Sequence, residues 1–323
     1  RGLGDVYKRQ IKDSSRQPIS KNNKTISEEL SKRHIMTRKS ATLTILLGGL
    51  FMSFVGLIMR LIVDATGFQI LFYRSLTISL VVIIFSCIIT KSNPLIFLKR
   101  LDKFDLTMGV FLSLAFATYV FSMLYTSVAS TLFILSVTPF LAAIIAWLWL
   151  GEKPRKIVWF TMIAATFGVA LMVNDGITYG KTYGNFLALL SALFFALALV
   201  IARYSAKENV LGGTFLGGAF ACLIGFLAAI YFKQGLIISQ YDLSLSLFMG
   251  AFTIGLGITL VTTGTPFVPA AEVSLLVLVE SVLGPIWVWL ILSEAMSKLE
   301  IIGGLIIFVS LIFLAKSNQQ PND

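Results

Sequence analysis

A few polar residues in this chain sit deep inside apolar runs, and each needs a chemical reason. Glu280 lies in the run LLVLVESVLGPIWVW, beside Ser281 and four residues before Gly284-Pro285. A carboxylate at mid-depth in hydrocarbon costs about 2.5–3.5 kcal/mol even on the lenient insertion scale. Glu280 should therefore face an aqueous cavity, where it could carry a coupling proton, or stay neutral and hydrogen-bonded to a neighbouring helix. Glu272 stands eight residues earlier. Eight helical residues rise about 12 Å and turn about 80° beyond two full turns. The two carboxylates could line one cavity wall at different depths, but they cannot share a proton. At its shallower depth Glu272 reads as a gate or as a snorkelling residue. Arg74, next to Tyr73, is the basic complement. Its guanidinium could bind a carboxylate or phosphate bidentately, pair with Glu280, or snorkel to the interface.

Two further features point to the same depth. Pro139 and Gly284-Pro285 should each interrupt a span and free the carbonyls of Leu135 and Ser281. Such breaks either open onto a binding cavity or are kinks satisfied by a neighbouring helix. Tyr119, Tyr125, Thr138 and the run Thr259, Thr262, Thr263, Thr265 are candidate lining residues, although threonines also bond their own helix. Trp147, Trp149, Trp287 and Trp289 read as interface-belt residues. Gly213 and Gly217 fit the small-xxx-small pattern of close helix contact, and Cys87 and Cys222 read as packing residues.

This inventory argues against most enzymes. His34 is the only histidine, so there is no paired-histidine metal site and no Ser-His dyad. The aspartates Asp64, Asp105 and Asp242 stand at span edges rather than deep in facing helices. No cofactor is expected. Nothing resembles a repeated channel filter.

The elements that position these residues follow from composition. The 323 residues are 57% hydrophobic and only 13% charged, with a net charge of +10 and a mean hydropathy of +0.87. Soluble chains carry about 25% charge, so most of this surface faces something other than water. Runs of about 20 apolar residues are predicted at 41–61, 67–90, 105–125, 128–150, 156–174, 184–203, 210–232, 243–264, 270–292 and 298–315. The expected fold class is therefore an all-α polytopic membrane protein with ten transmembrane helices. Residues 1–40 hold eleven Lys/Arg against four Asp/Glu and read as a disordered basic tail, without a nucleic-acid role. The opening RGLGDVYKRQ resembles adapter or vector read-through, and the first methionine is Met36. Lys and Arg in the loops number 21 on one side and 3 on the other, or 10 against 3 without the tail. Both termini should accordingly be cytoplasmic, with a short cytoplasmic tail at 316–323.

The halves resemble each other. A shift of 142 residues places 125–173 on 267–315 and aligns Val137 with Val279, Trp147 with Trp289, Glu152 with Glu294 and Lys156 with Lys298. Five spans per half is an odd number, so the second half must enter from the opposite side. Two inverted five-helix repeats, 41–174 and 184–315, are the usual architecture of a secondary transporter, with the substrate site between them. The symmetry is broken in chemistry, because Ser130 and Thr138 stand where Glu272 and Glu280 fall.

The stretches YTSVASTLFILSVTPFLAAIIAWLWLGEKPRKIVWFTMIAATFGVAL and FVPAAEVSLLVLVESVLGPIWVWLILSEAMSKLEIIGGLIIF resemble the EamA family of the drug/metabolite transporter superfamily. Pro139, Gly151, Glu152 and Gly168 match the family pattern in the first half. In the second, Ser281 stands where its proline often falls and Ser293 replaces the glycine before Glu294. The family often has a basic residue where Arg74 stands. The resemblance implies a ten-helix carrier of small metabolites in a bacterial inner membrane, with lipid around it, a small-molecule substrate in its centre and protons if Glu280 couples. It leaves open monomer or homodimer, and a non-transporting regulator or assembly factor built on the same scaffold.

Overall fold

Inside hydrocarbon every backbone N–H and C=O must find its partner within the protein, and an uninterrupted apolar run does so as a helix. The computed structural model of the chain describes residues 36–91, 93–126, 128–151, 153–174, 182–207, 209–293 and 298–317. Among the described residues the regular structure is helical throughout. The helices are α1 (Arg38–Met52), α2 (Val55–Leu61), α3 (Gly67–Thr90), α4 (Pro94–Lys99), α5 (Lys103–Tyr125), α6 (Val128–Leu135), α7 (Thr138–Leu150) and α8 (Lys156–Asn174). They continue as α9 (Thr182–Tyr204), α10 (Leu211–Tyr231), α11 (Gln240–Phe248), α12 (Gly257–Gly264), α13 (Ala270–Val277), α14 (Val279–Leu292) and α15 (Lys298–Ser317).

Each predicted run coincides with a helix or with helices joined end to end. Among the described residues seven stretches are by length and composition able to cross a membrane, including Arg38–Leu61, Gln240–Phe267 and Glu272–Leu292, while Thr138–Leu150 and Lys156–Gly168 are shorter apolar helices. Large apolar side chains such as Ile84, Phe160, Ile163 and Leu227 are more than half exposed. Such a surface is what a lipid-facing helix presents.

Local chemistry explains the ends and the interruptions. Thr66 and Gln69 form a capping box at the start of α3, and Asp102 and Asp105 form another at α5. A turn at Ser53-Phe54 separates α1 from α2, and Ser53 Oγ donates to Leu50 O over 2.6 Å. Ser136 and Val137 separate α6 from α7, with Pro139 in the first turn of α7. In the second half the interruption is at Leu278, not at the proline: Pro285 lies inside α14, which runs through it. Leu278 is the residue that the 142-residue shift places on Ser136. The expected break at Gly284-Pro285 is thus corrected to one seven residues earlier. Between α11 and α12 the residues Met249–Leu256 wind as a π-helix.

Packing is largely between halves. α5 lies against α9 and α10, α3 against α10 and the π segment, α1 against α12, α7 against α13, and α8 against α15. Glycines permit the closest approaches. Gly213 and Gly217 of α10 meet Met108 and Leu112 of α5, and Gly109 of α5 meets Leu216. Small-residue contacts of this kind let helices approach closely where lipid gives no hydrophobic drive to associate.

Candidate functional site

Where the two interrupted pairs α6–α7 and α13–α14 meet α3, α5, α9 and α12, a cavity of about 70 Å³ remains. A single water needs roughly 10–15 Å³ on this measure, so there is room for several waters or a small polar ligand. Its wall is mostly apolar, with Val55, Leu132, Leu135, Phe195, Ile254, Ile258 and Val277, and its polar groups are Arg74, Tyr119, Thr138, Ser191, Ser274, Glu280 and Ser281.

Arg74 is fully buried. Its Nη2 donates to Phe116 O over 2.9 Å, and its Cζ lies 5.6 Å from the Phe116 ring centre and 5.8 Å from that of Tyr119. Nε and Nη1 have no hydrogen-bond partner, and Arg74 makes no ion pair among the described residues. Tyr119 donates its hydroxyl to Glu280 Oε1 over 2.8 Å. One tyrosine therefore touches both charged groups, its ring against the guanidinium and its hydroxyl on the carboxylate. A buried guanidinium with unused donors is costly unless an anion or water completes it.

The backbone interruptions place the remaining polar groups. Thr138 and Glu280 each fall in the first turn of the helix that restarts after a break. The positive dipole ends of α7 and α14 start beside the cavity, as in transporters whose discontinuous helices hold anionic groups. Thr138 Oγ1 donates to Leu135 O, the carbonyl that the proline frees. Ser281 Oγ donates to Leu132 O over 3.2 Å and so ties the two interrupted pairs together. Gly250, in the π segment, packs against the Arg74 backbone so closely that a Cβ there would collide with it. The same segment supplies Ile254 to the cavity wall. π-helical turns concentrate at functional sites, and nothing in the apolar run around Gly250 announces one.

A second polar centre lies at the end of the bundle where α1 and α8 begin, called here the basic end. Glu272, almost completely buried, accepts Arg38 Nη2 on Oε2 and Arg155 Nη2 on Oε1, both over 2.7 Å. These groups share a chamber of about 290 Å³ with Lys153 and Arg203. Arg203 also donates to Pro266 O. Nearby, Lys207 bridges Asp102 over 2.8 Å and Asp105 over 2.7 Å. At the opposite end the buried Asp242 accepts the backbone N–H groups of Val63, Asp64 and Ala65 over 2.9–3.1 Å. Gln69 and Tyr73 there donate to carbonyls of residues 234–236.

Of the residues singled out from the sequence, Arg74, Tyr119, Thr138, Glu280 and Ser281 come together around one cavity. Tyr73 does not: its hydroxyl is on Leu236 O, away from the cavity. Glu272 does not share a wall with Glu280 but belongs to the basic end. Pro139, Gly284 and Pro285 shape the helices without lining the cavity. Thr259, Thr262, Thr263 and Thr265 bond carbonyls of their own helix, and Tyr125 is exposed. Trp287 is no belt residue, since it donates to Ser53 Oγ over 2.8 Å and stacks on Phe54. Glu152, Glu294 and the tail before Met36 lie outside the described residues. Arg38, Arg155 and Asp242 had no signal beyond their positions at span edges.

The comparisons with known proteins bear on the family and the fold. The EamA-like transporter family model matches residues 39–174 and again 182–316. No curated protein matches the chain. A solved structure described as "Crystal structure of protein" is 16% identical, with a TM-score of 0.73 over 88% of this chain and 100% of the other; at that identity it speaks for the fold alone. With two copies of the family's repeat covering nearly all of its helices, the chain belongs to the EamA-like transporter family.

Proposed function

We propose that the protein is a secondary transporter that moves a small polar or amphipathic metabolite, amino-acid-like or an organic anion, by alternating access. The observation that carries this reading is the pair Arg74 and Glu280 on one cavity, the guanidinium with unused donors and the carboxylate held by Tyr119. Arg74 would take the anionic group of the substrate. Glu280 would accept an ammonium group or carry the coupling proton. The apolar wall suits a short hydrocarbon part.

Ten spans in two inverted repeats are part of the same proposal. The pairing of α1 with α12 and of α5 with α9 is what exchange of two inverted halves requires, and the equivalent breaks at Ser136 and Leu278 support it. The loop charges favour the basic end toward the cytoplasm, with both termini there, in a bacterial inner membrane.

The test begins with a thermal-shift screen of metabolites on purified protein. A ligand at one hundred times its dissociation constant should stabilise by about 2.7 kcal/mol. Counterflow of that ligand into proteoliposomes then follows. Arg74→Gln should abolish binding, and Glu280→Gln should bind but lose pH-dependent uptake. Wild-type rates and pH dependence in both variants would overturn the reading.

A further inference from the structure

The chamber at the basic end has the makings of a site of its own. Arg38 comes from the start of α1, Lys153 and Arg155 from the connection between α7 and α8, and Arg203 from the last turn of α9. One carboxylate, Glu272 in the first turn of α13, faces these four cations among the described lining residues. Each of its oxygens takes a different guanidinium. The two arginine side chains keep 38% of their surface exposed, whereas Glu272 keeps 2%. A cleft lined by one sign of charge focuses its field and gathers counter-ions, and this one is filled by a carboxylate of the protein itself.

We propose that this chamber is a second anion-binding site, in which Glu272 is the resident anion that an incoming carboxylate or phosphate group displaces. The inference rests on the reading of the protein as a carrier of anionic or zwitterionic substrate for the ligand class alone. The chemistry of the exchange is symmetrical, because a free carboxylate or phosphate offers the arginines the same acceptors as the tethered one. Withdrawal of Glu272 with nothing in its place would take from each of the two guanidiniums a charge-assisted acceptor at 2.7 Å. With an anion to replace it, the contacts joining α1, the α7–α8 connection and α13 are released at little cost. Ligand binding and opening of the basic end are then linked, as differential affinity requires. Glu272 and its arginines thus form a gate whose key is the charged group of the ligand.

The experiment uses the full chain in phosphatidylcholine nanodiscs, with Cys87→Ser and Cys222→Ser and the reporter Ala146→Cys. Ala146 lines the chamber and is 3% exposed. The rate at which a neutral maleimide modifies the reporter thiol is followed against inorganic phosphate, with chloride at matched ionic strength as control. Phosphate should accelerate modification saturably by about tenfold, within the usual range of coupling between linked sites. Glu272→Gln should react fast without phosphate and gain nothing from it. Arg155→Gln and Arg38→Gln, made separately in case the glutamate variant does not fold, should raise the phosphate concentration for half-maximal effect.

Phosphatidylglycerol nanodiscs in phosphate-free buffer form the second arm. Acceleration by phosphate assigns the site to a soluble anion, and acceleration only by phosphatidylglycerol assigns it to a lipid headgroup; either upholds the anion site. No acceleration in either arm, an equal response to chloride, or a slow Glu272→Gln protein without phosphate overturns it. The chamber response should survive Arg74→Gln. A failed transport assay with an intact chamber response therefore counts against the central cavity as a substrate site and not against the anion chamber.

Discussion

The interrupted pairs α6–α7 and α13–α14 are the same backbone idea carried out with different chemistry. Both pause at the same repeat position, Ser136-Val137 in one and Leu278 in the other, and both carry a cavity-lining residue in the first turn after the pause. The first restart carries Thr138 and Pro139, and the second, which begins at Val279, carries Glu280 and Ser281 at the equivalent positions. Equivalent positions thus carry a hydroxyl beside a proline in one half and a carboxylate beside a hydroxyl in the other. The break does not depend on its proline. What the two breaks share is the crossing of the two pairs, where Ser281 bonds Leu132 O and Gly284 lets Leu132 approach. The lesson is that the repeat supplies geometry twice, while the charge is supplied once.

That comparison can be broken most sharply by exchanging its chemistry. Glu280→Gln should lower the initial transport rate by about 10²-fold or more, the range for loss of a positioned proton-transfer group. Thr138→Val should cost about fivefold at most, the worth of one hydrogen bond. Equal losses in the same proteoliposome assay would remove the asymmetry between halves.

The π segment belongs to the second half alone among the described residues, and Gly250 tests whether it positions Arg74. Gly250→Ala should destabilise by about 1–3 kcal/mol in thermal unfolding, as overpacking of a close contact does, and should weaken ligand binding together with stability. A stable variant with unchanged affinity would show that the segment is only a packing solution.

Smaller effects bear on the breaks. Ser281→Ala should cost about 0.6 kcal/mol, typical of a hydrogen bond between membrane helices. Pro139→Ala should leave the break in place and change stability by less. A solved structure of that variant with α6 and α7 fused into one helix would make the proline, not the crossing, the cause.

The smallest effect is expected at the surface, where α5 begins. Burial by itself would raise the Asp102 carboxyl, but the hydrogen bond from Lys207 and those within the cap outweigh it and hold the group at about 2. For Lys207, too, burial alone works the other way and is outweighed by Asp102 and Asp105, so its ammonium is raised. A carboxylate depressed in the folded state stabilises above its ordinary range, near 3.8, and that contribution disappears as the pH falls toward 2. Lys207→Met should therefore lower the melting temperature slightly at neutral pH, and the gap to wild type should close over that acid window. Asp102 is exposed and Lys207 half-buried, so solvent screens the pair and the gap should be small.

Much of this was legible without coordinates. The apolar runs became helices where expected, and Arg74 and Glu280 stood out because a charge inside such a run is rare. Their separation in sequence hid the third member: Tyr119 had no signal that distinguished it from Tyr73 or Tyr125, yet it alone bonds Glu280. Glu272 was visible as a carboxylate near a span end, whereas its partners Arg38 and Arg155 looked like ordinary loop cations. Trp287 was misread because an amphipathic side chain near a helix end looks the same facing lipid or facing another helix, while the threonines of α12 took the second of their two readings and bond their own helix.

Sequence alone determined that the chain is helical, that it is made for a membrane, that its halves are related, and which charges are out of place. These are properties of run length, composition and repeat, each of which is read along the chain without reference to which helices touch. Only the tertiary structure decided which charge meets which group. It put Tyr119 on Glu280 with its ring against Arg74, closed Glu272 between two arginines, and moved the second break from Pro285 to Leu278. Hydrogen bonds and ion pairs act over a few ångströms, and distances of that size between helices are set by which faces pack together, a choice that no single segment makes.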